Sequence, residues 1–378
     1  MKAVIAVDSF KGSLSSFEAG ETVKKAFVDI FNGEASVFPV SDGGEGTVET
    51  VVKALKGEIV NIEVTGPLGE KINSFYGIIN NKTAVIEMAA ASGLPIVPMD
   101  KRNPMNTTTY GVGELISNAV KRGIRDFVIG IGGSATNDGG LGMLSALGVK
   151  FTDKYGKNCG VFGRDLFNVE NIDISGIPDG VKESSFKIAC DVNNPLCGKN
   201  GASAVFGPQK GADEKTVEEM DKALEKYALL SEKVLGKGFK DKEGTGAAGG
   251  LGFAFVSYLN GKLLPGIELV LDMLDIEKEM KTADIVITGE GRLDSQTVMG
   301  KAPGGVAKLA KKYNLPVIAF SGCIGDGAEK CNLKGIDAFF PIIRNAVSIE
   351  EAMKKESAEK NMYNTALQVF RLIKTIKS

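Results

Sequence analysis

Apolar and polar positions divide this chain into two kinds of segment, short solid apolar runs and longer amphipathic ones. MKAVIAV (1–7) is an apolar run of strand length, the pattern of a strand buried on both faces. Residues 16–32 follow with helical spacing, opened by the capping box Ser15-Ser-Phe-Glu18. ASVFPV (35–40) predicts the next strand, and a helix follows the SDGGEG loop. The chain thus opens β-α-β-α, the beginning of a doubly wound sheet.

The texture then changes. EIVNIEV (58–64), KINSFYGII (71–79) and TAVIEMA (83–89) come in quick succession, separated by the turn signals GPLGE and NNK. That spacing predicts an antiparallel meander. A helix near 111–123, the strand DFVIGIGG, a helix on LGMLSALG and the strand FKIACDV (186–192) come next. A charged amphipathic helix covers 214–234, and GTGAAGGLGFAFVSYLNG predicts a glycine-led helix. The β-α-β pattern returns near 283, with strands DIVITGEG, PVIAFSG (316–322) and AFFPII (338–343), and a helix over 303–313. Ser348-Ile-Glu-Glu351 caps a final helix.

The outer segments supply five strands, enough for one sheet. The predicted fold is therefore α/β: a flavodoxin-like, doubly wound parallel sheet built from both termini (1–58 and 283–378). A large mixed α/β domain (59–282) is inserted, and the active site is expected in the cleft between the two.

Composition narrows the function. Glycine fills 48 of 378 positions, roughly twice the usual share, and it clusters where apolar runs end. The net charge of −2 gives no nucleic-acid surface and no anionic-membrane anchor. No apolar run approaches the ~18–20 residues of a membrane span, and MKAVIAVDSF turns polar too early for a signal peptide. The five cysteines are odd in number and form no CxxC pair, which fits reduced thiols in a cytoplasmic protein. Histidine is absent. A general base must then be a carboxylate, Lys, Tyr or Cys, and His-based triads and His-ligated zinc are excluded. A divalent metal held by carboxylates and phosphates stays open.

Ligands of open parallel sheets bind beyond the carboxyl ends of the strands. Five predicted strands lead into acidic, glycine-rich loops: DSFKGS (8–13), SDGGEGT (41–47), SATNDGG (134–140), DVNNPLCG (191–198) and GEGRLDS (289–295). One such loop is ordinary turn chemistry; five at one end of a sheet point to a ligand. Bare backbone N–H groups suit phosphate. The carboxylates suit a Mg²⁺ that bridges phosphate oxygens, or a base for a hydroxyl proton. Lys11, Lys210 and Lys301 supply positive charge. The set points to phosphoryl transfer, although no GxxxxGK[ST] loop is present and GEGRLD lacks the third glycine of a dinucleotide fingerprint.

Taken together the loops resemble the bacterial glycerate kinase family of glyoxylate and glucarate metabolism. The matching strings include DSFKGSLSS, PVSDGGEGT, EMAAASGL, NPMNTTTYGVGELI, GIGGSATNDGGLGML, ACDVNNPLCG, GASAVFGPQKGA, GTGAAGGLGF and TGEGRLDSQTVMGKAPGGVA, in family order. The resemblance implies an ATP-dependent kinase that phosphorylates D-glycerate with Mg²⁺, with the 2-phospho product favoured over the 3-phospho. A kinase of another small hydroxy acid and a non-catalytic phosphometabolite sensor are the alternatives. A homodimer is left open.

Asp191 is the first choice for the base and Asp294 its rival, with Lys11 beside the transferring phosphate or the glycerate carboxylate. Asp8, Asp42, Asp138 and Glu290 are expected around the metal. Arg102 can grip the glycerate carboxylate with bidentate geometry. Ser9, Gly132, Gly133, Ser134, Asn137, Asn193, Gly289, Gly291 and Lys301 are expected to touch substrate or phosphate.

Overall fold

In the computed structural model, residues 1–295, 297 and 300–377 are described. The strands run β1 (Lys2–Val7), β2 (Glu34–Val37), β3 (Glu58–Thr65), β4 (Lys71–Ile79), β5 (Thr83–Glu87), β6 (Asp126–Gly130) and β7 (Lys150–Thr152). They continue as β8 (Asn171–Asp173), β9 (Ser185–Ala189), β10 (Lys262–Leu264), β11 (Ile285–Leu293), β12 (Val317–Ile324) and β13 (Ala338–Pro341). The chain divides into two units, one of residues 1–42, 53–55 and 265–378, the other of 43–52 and 56–264.

The first unit is a five-stranded sheet of order β13-β12-β11-β1-β2, with every pair parallel. Counted within the unit, that is the flavodoxin order 2-1-3-4-5, whose ligand site lies where β1 meets the third strand, here β11. Ala3 to Val7 are all fully or almost fully buried, as the solid apolar run requires. The helix Ser16–Phe31 opens on the expected capping box: the Ser15 hydroxyl accepts from the Glu18 N–H, and the Glu18 carboxylate accepts from the Ser15 N–H. Phe27 and Phe320 each meet Phe370 edge-on, at 5.5 and 6.3 Å between ring centroids, which locks the terminal helix Lys355–Lys377 onto this core.

The second unit holds a mixed six-stranded sheet of order β10-β9-β6-β5-β4-β3. β3, β4 and β5 form the predicted antiparallel meander. From β5 through β6 and β9 to β10 the pairing is parallel, with Gly130 opposite both Glu87 and Ala189. The loops after β5, β6 and β9 therefore leave the same edge of this sheet. Phe127 stacks on Phe186 at 4.9 Å in its core.

Several local expectations differ from what forms. The second strand stops at Val37, two residues before Pro39, which has no N–H to donate to a ladder. Ser348 caps only the short helix Ile349–Met353, and the long terminal helix starts afresh at Lys355. The return crossing between units falls near 264 rather than 282. Residues 266–280 form two helices that belong with the terminal segments: Ile267 packs against Gly305, Lys308 pairs with Glu268 at 2.8 Å, and the Tyr313 hydroxyl donates to Glu277 at 2.7 Å.

Candidate functional site

The switch point of the first sheet carries a charged cavity of about 450 Å³. Asp8 leaves the end of β1, its backbone held to β11 by its N–H on the Gly289 carbonyl at 2.9 Å. The Ser9 N–H donates to Asp8 Oδ1 at 2.6 Å. Burial pushes the Asp8 carboxyl up to about 7, against the Ser9 hydrogen bond and Lys11, with Asp42 and Glu290 adding repulsion. Glu290 is almost fully buried; Thr297 donates to its Oε1 at 2.6 Å, and Lys301 Nζ stands 3.8 Å from its Oε2. Its carboxyl is also raised, by burial first and then by Asp294 and Asp42. Lys301 precedes the helix Ala302–Lys311. Lys11, Asp42, Gly291 and Lys301 line the same cavity as Asp8 and Glu290.

The neighbouring glycines divide in role. A Cβ on Gly291 would meet nothing nearer than 3.6 Å, so this residue is open to a ligand. A Cβ on Gly289 would lie 2.3 Å from the Phe320 carbonyl oxygen. Gly289 is therefore a packing glycine between β11 and β12, not the phosphate contact expected of it. Gly289→Ala should destabilise the fold by about 1–3 kcal/mol through overpacking. Urea titration checks this, and a midpoint equal to wild type would remove the argument.

Asp294 lies on the turn after β11. Its carboxylate stands 3.3 Å from Arg292 Nε, and its N–H donates to the Thr297 hydroxyl at 3.1 Å. Of the motif that continues from it, Gln296, Val298 and Met299 lie outside the described residues.

Among the described residues no three Asp, Glu or Cys side chains converge to hold a metal ion on their own. Asp8, Asp42 and Glu290 instead form a mutually repelling acidic group. That suits Mg²⁺, which keeps its waters and binds through one or two carboxylates plus substrate phosphates.

In the second unit, the loop after β6 presents Gly132 and Gly133 to solvent, with Gly133 in the left-handed region at φ +72°. Its polar residues turn inward. Asp138 is fully buried and accepts from the Thr109 N–H and hydroxyl at 2.8 and 2.7 Å, and from the N–H groups of Gly140 and Gly142 at 3.0 and 3.2 Å. This corrects its expected place beside a metal. Both oxygens are enclosed, and they pin the starts of the helices Tyr110–Lys121 and Leu141–Ala146. Asn137 is likewise buried, its Nδ2 donating to the Ser203 hydroxyl at 2.8 Å and its Oδ1 enclosed without a hydrogen-bond partner. Gly139 and Gly140 admit Tyr227 and Ala254, which a side chain there would strike.

The anchor of this loop is Lys210, which is buried and donates to the Ser134 hydroxyl at 2.8 Å and the Thr136 carbonyl at 2.7 Å. Burial pulls its ammonium down to about 7, against the attraction of Asp138. Burial raises Asp138 in turn, so the interior pushes both groups towards neutrality. The sequence names Lys210 only as one cation among three; its anchoring role comes from the burial. Arg102 is half-buried beside Gly211, and its Nε is enclosed without a hydrogen-bond partner. Asp191 and Asn193 are exposed on the loop after β9, next to the loop after β6 along the sheet edge.

Sequence reasoning missed Glu87. It is buried at the end of β5 and accepts from the N–H groups of Gly46 and Val48 at 3.1 and 2.7 Å, which fixes the entry to the helix Thr47–Leu55. A carboxylate closing the otherwise apolar TAVIE run was the available signal.

The glycerate kinase family model matches residues 3–374. The chain belongs to the glycerate kinase family. A glycerate kinase from Bacillus subtilis (strain 168) is 49% identical over 380 residues, covering 100% of this chain and 99% of that one. A glycerate 2-kinase from Escherichia coli (strain K12) is 48% identical over 356 residues, covering 94% and 93%. A crystal structure from Salmonella typhimurium LT2, described as glycerate kinase 2, superposes with a TM-score of 0.92 at 46% identity, covering 100% of this chain and 99% of that one. Family membership makes the protein a kinase that uses ATP, with an alcohol group as phosphoryl acceptor. Among the described residues no helix is long and apolar enough to cross a membrane.

Proposed function

We propose that the protein transfers the terminal phosphoryl group of ATP to the 2-hydroxyl of D-glycerate, in line and with Mg²⁺. The full-length match to a relative named glycerate 2-kinase carries this reading. The charge distribution supports it. Lys11 and Lys301 lie where they can meet phosphate oxygens, and Asp8, Asp42 and Glu290 supply carboxylates for the Mg²⁺ that travels with ATP. That ion would neutralise charge on the phosphates.

Gly132 and Gly133 offer exposed backbone, and Asp191 is an exposed carboxylate on the adjacent strand-end loop. Their neighbouring loops suit a small hydroxy acid, with the N–H groups on its carboxylate and Asp191 taking the hydroxyl proton. Asp294, whose carboxylate pairs with Arg292, is the rival candidate for that proton. Arg102, with its enclosed and unpartnered Nε, remains the proposed grip on the glycerate carboxylate. The five free thiols fit a cytoplasmic enzyme, and light scattering would test for a homodimer.

The test is ADP release from ATP and Mg²⁺ in the presence of D-glycerate, L-glycerate, glycerol or lactate, with phosphorus NMR of the product. Turnover with D-glycerate and a 2-phosphate resonance is the expected result. A 3-phosphate product would overturn the position, and turnover with lactate but not D-glycerate would overturn the substrate.

A further inference from the structure

The cavity at the switch point has a second, apolar half that the phosphate and metal roles do not use. Its charged residues stand on the loops after β1 and β2, on β11 and before the helix Ala302–Lys311, whereas Ile342, Ile343, Ile349 and Met353 line it from the segment after β13. Three strand spacings of ~4.8 Å, roughly 14 Å in all, separate β1 from β13 in this sheet. Between them the floor includes Gly291, Gly322 and Cys323, with Arg292 also on the lining. A Cβ on Gly322 would sit 2.5 Å from the Gly291 carbonyl oxygen, so the floor is bare backbone at this position of necessity.

The apolar wall is unusually open. Ile349 is 75% exposed and Met353 41%, on a short helix whose Ser348 cap fixes its start. Met353 reaches back to Gly12, where a side chain would strike its methyl carbon, so the wall joins the phosphate-side loop. A cavity with cations at one side, a flat glycine floor and exposed aliphatic residues at the other matches an elongated ligand. That ligand has anionic groups at one end and a flat, weakly polar ring at the other.

We infer that the segment after β13, with Ile343, Ile349 and Met353, is the nucleoside subsite: it packs on the purine base of ATP while the phosphates extend towards Lys11 and Lys301. This rests on the ATP-dependent reading above. The base gains by covering aliphatic surface that water otherwise meets. The floor residue Cys323 is exposed there and reports on occupancy.

The experiment is alkylation of Cys323 by iodoacetamide, read by peptide mass spectrometry, with saturating adenosine, Mg·ADP, pyrophosphate or D-glycerate. Adenosine and Mg·ADP should each slow labelling, and D-glycerate alone should not. Calorimetry of Mg·ADP binding to Ile349→Glu should show an affinity loss of about tenfold or more, the effect of losing one well-packed contact. The KM for D-glycerate should move much less than the KM for ATP. Ile343→Glu serves as the second variant, and circular dichroism checks both folds.

Protection by ADP and pyrophosphate but not by adenosine would overturn the inference. So would unchanged labelling with every nucleotide, or variants that are folded and bind ADP as wild type does. Nucleotide protection without any turnover of D-glycerate would leave this subsite standing and remove the proposed substrate instead.

Discussion

Asp8→Asn should lower kcat at least about 100-fold, the scale on which removal of one preorganised electrostatic group acts, while making the folded protein more stable at neutral and alkaline pH. The two effects have one cause. Burial and the nearby carboxylates raise the Asp8 carboxyl from 3.8 to about 7. Below pH 4 the group is protonated in folded and unfolded chains alike, and its stabilising share is fully present. As pH rises towards 7 the unfolded chain loses this proton while the folded chain holds it, so stability falls. Above 7 the folded chain carries the full burden of a buried, crowded charge, roughly 4 kcal/mol. Asparagine removes that burden and also removes the negative charge proposed to meet Mg²⁺. Thermal melts from pH 4 to 9 should show the variant's advantage grow to about pH 7 and then level. A gap independent of pH, or a variant with normal kcat, would refute this account of Asp8.

Asp138→Ala should have the opposite character, a loss of fold before a loss of chemistry. The substitution leaves the Thr109 N–H and hydroxyl and the Gly140 and Gly142 N–H groups without their acceptor, and takes the counter-charge from buried Lys210. Breaking a buried charged network in this way costs about 3–5 kcal/mol. Urea unfolding should therefore shift strongly to lower denaturant, while any material that still folds keeps its dependence on Mg²⁺. An unchanged urea midpoint with a weakened Mg²⁺ response would instead restore Asp138 to the metal.

Asp8 and Asp138 look alike in the sequence: each follows a buried strand, and glycines lie close by. What separates them is which way the carboxylate turns. Asp8 faces a cavity with Lys11 and Lys301 on its walls, and Asp138 faces the first turns of two helices. The glycines behave in the same way. Gly291 and Gly132 leave open space, whereas Gly289, Gly139 and Gly140 make room for neighbours distant in sequence. A loop motif carries composition, and composition does not say which of its residues face the ligand.

The sequence by itself determined the periodicities and the strand-end loops, and through them the doubly wound sheet, the antiparallel meander and the family. Those features are local: solid apolar runs demand burial on both faces, a Ser and a Glu three residues apart close a helix end, and turn residues set the short connections. Only the tertiary structure decided what depends on contacts between distant segments. It drew residues 266–280 to the terminal unit through Gly305 and Glu277, and it buried Lys210 against the loop after β6. It also set an aliphatic wall from residues 342–353 beside the acidic end of β1. Burial is a property of the assembled fold, and burial is what turns one carboxylate into a structural cap and leaves another poised above a cavity.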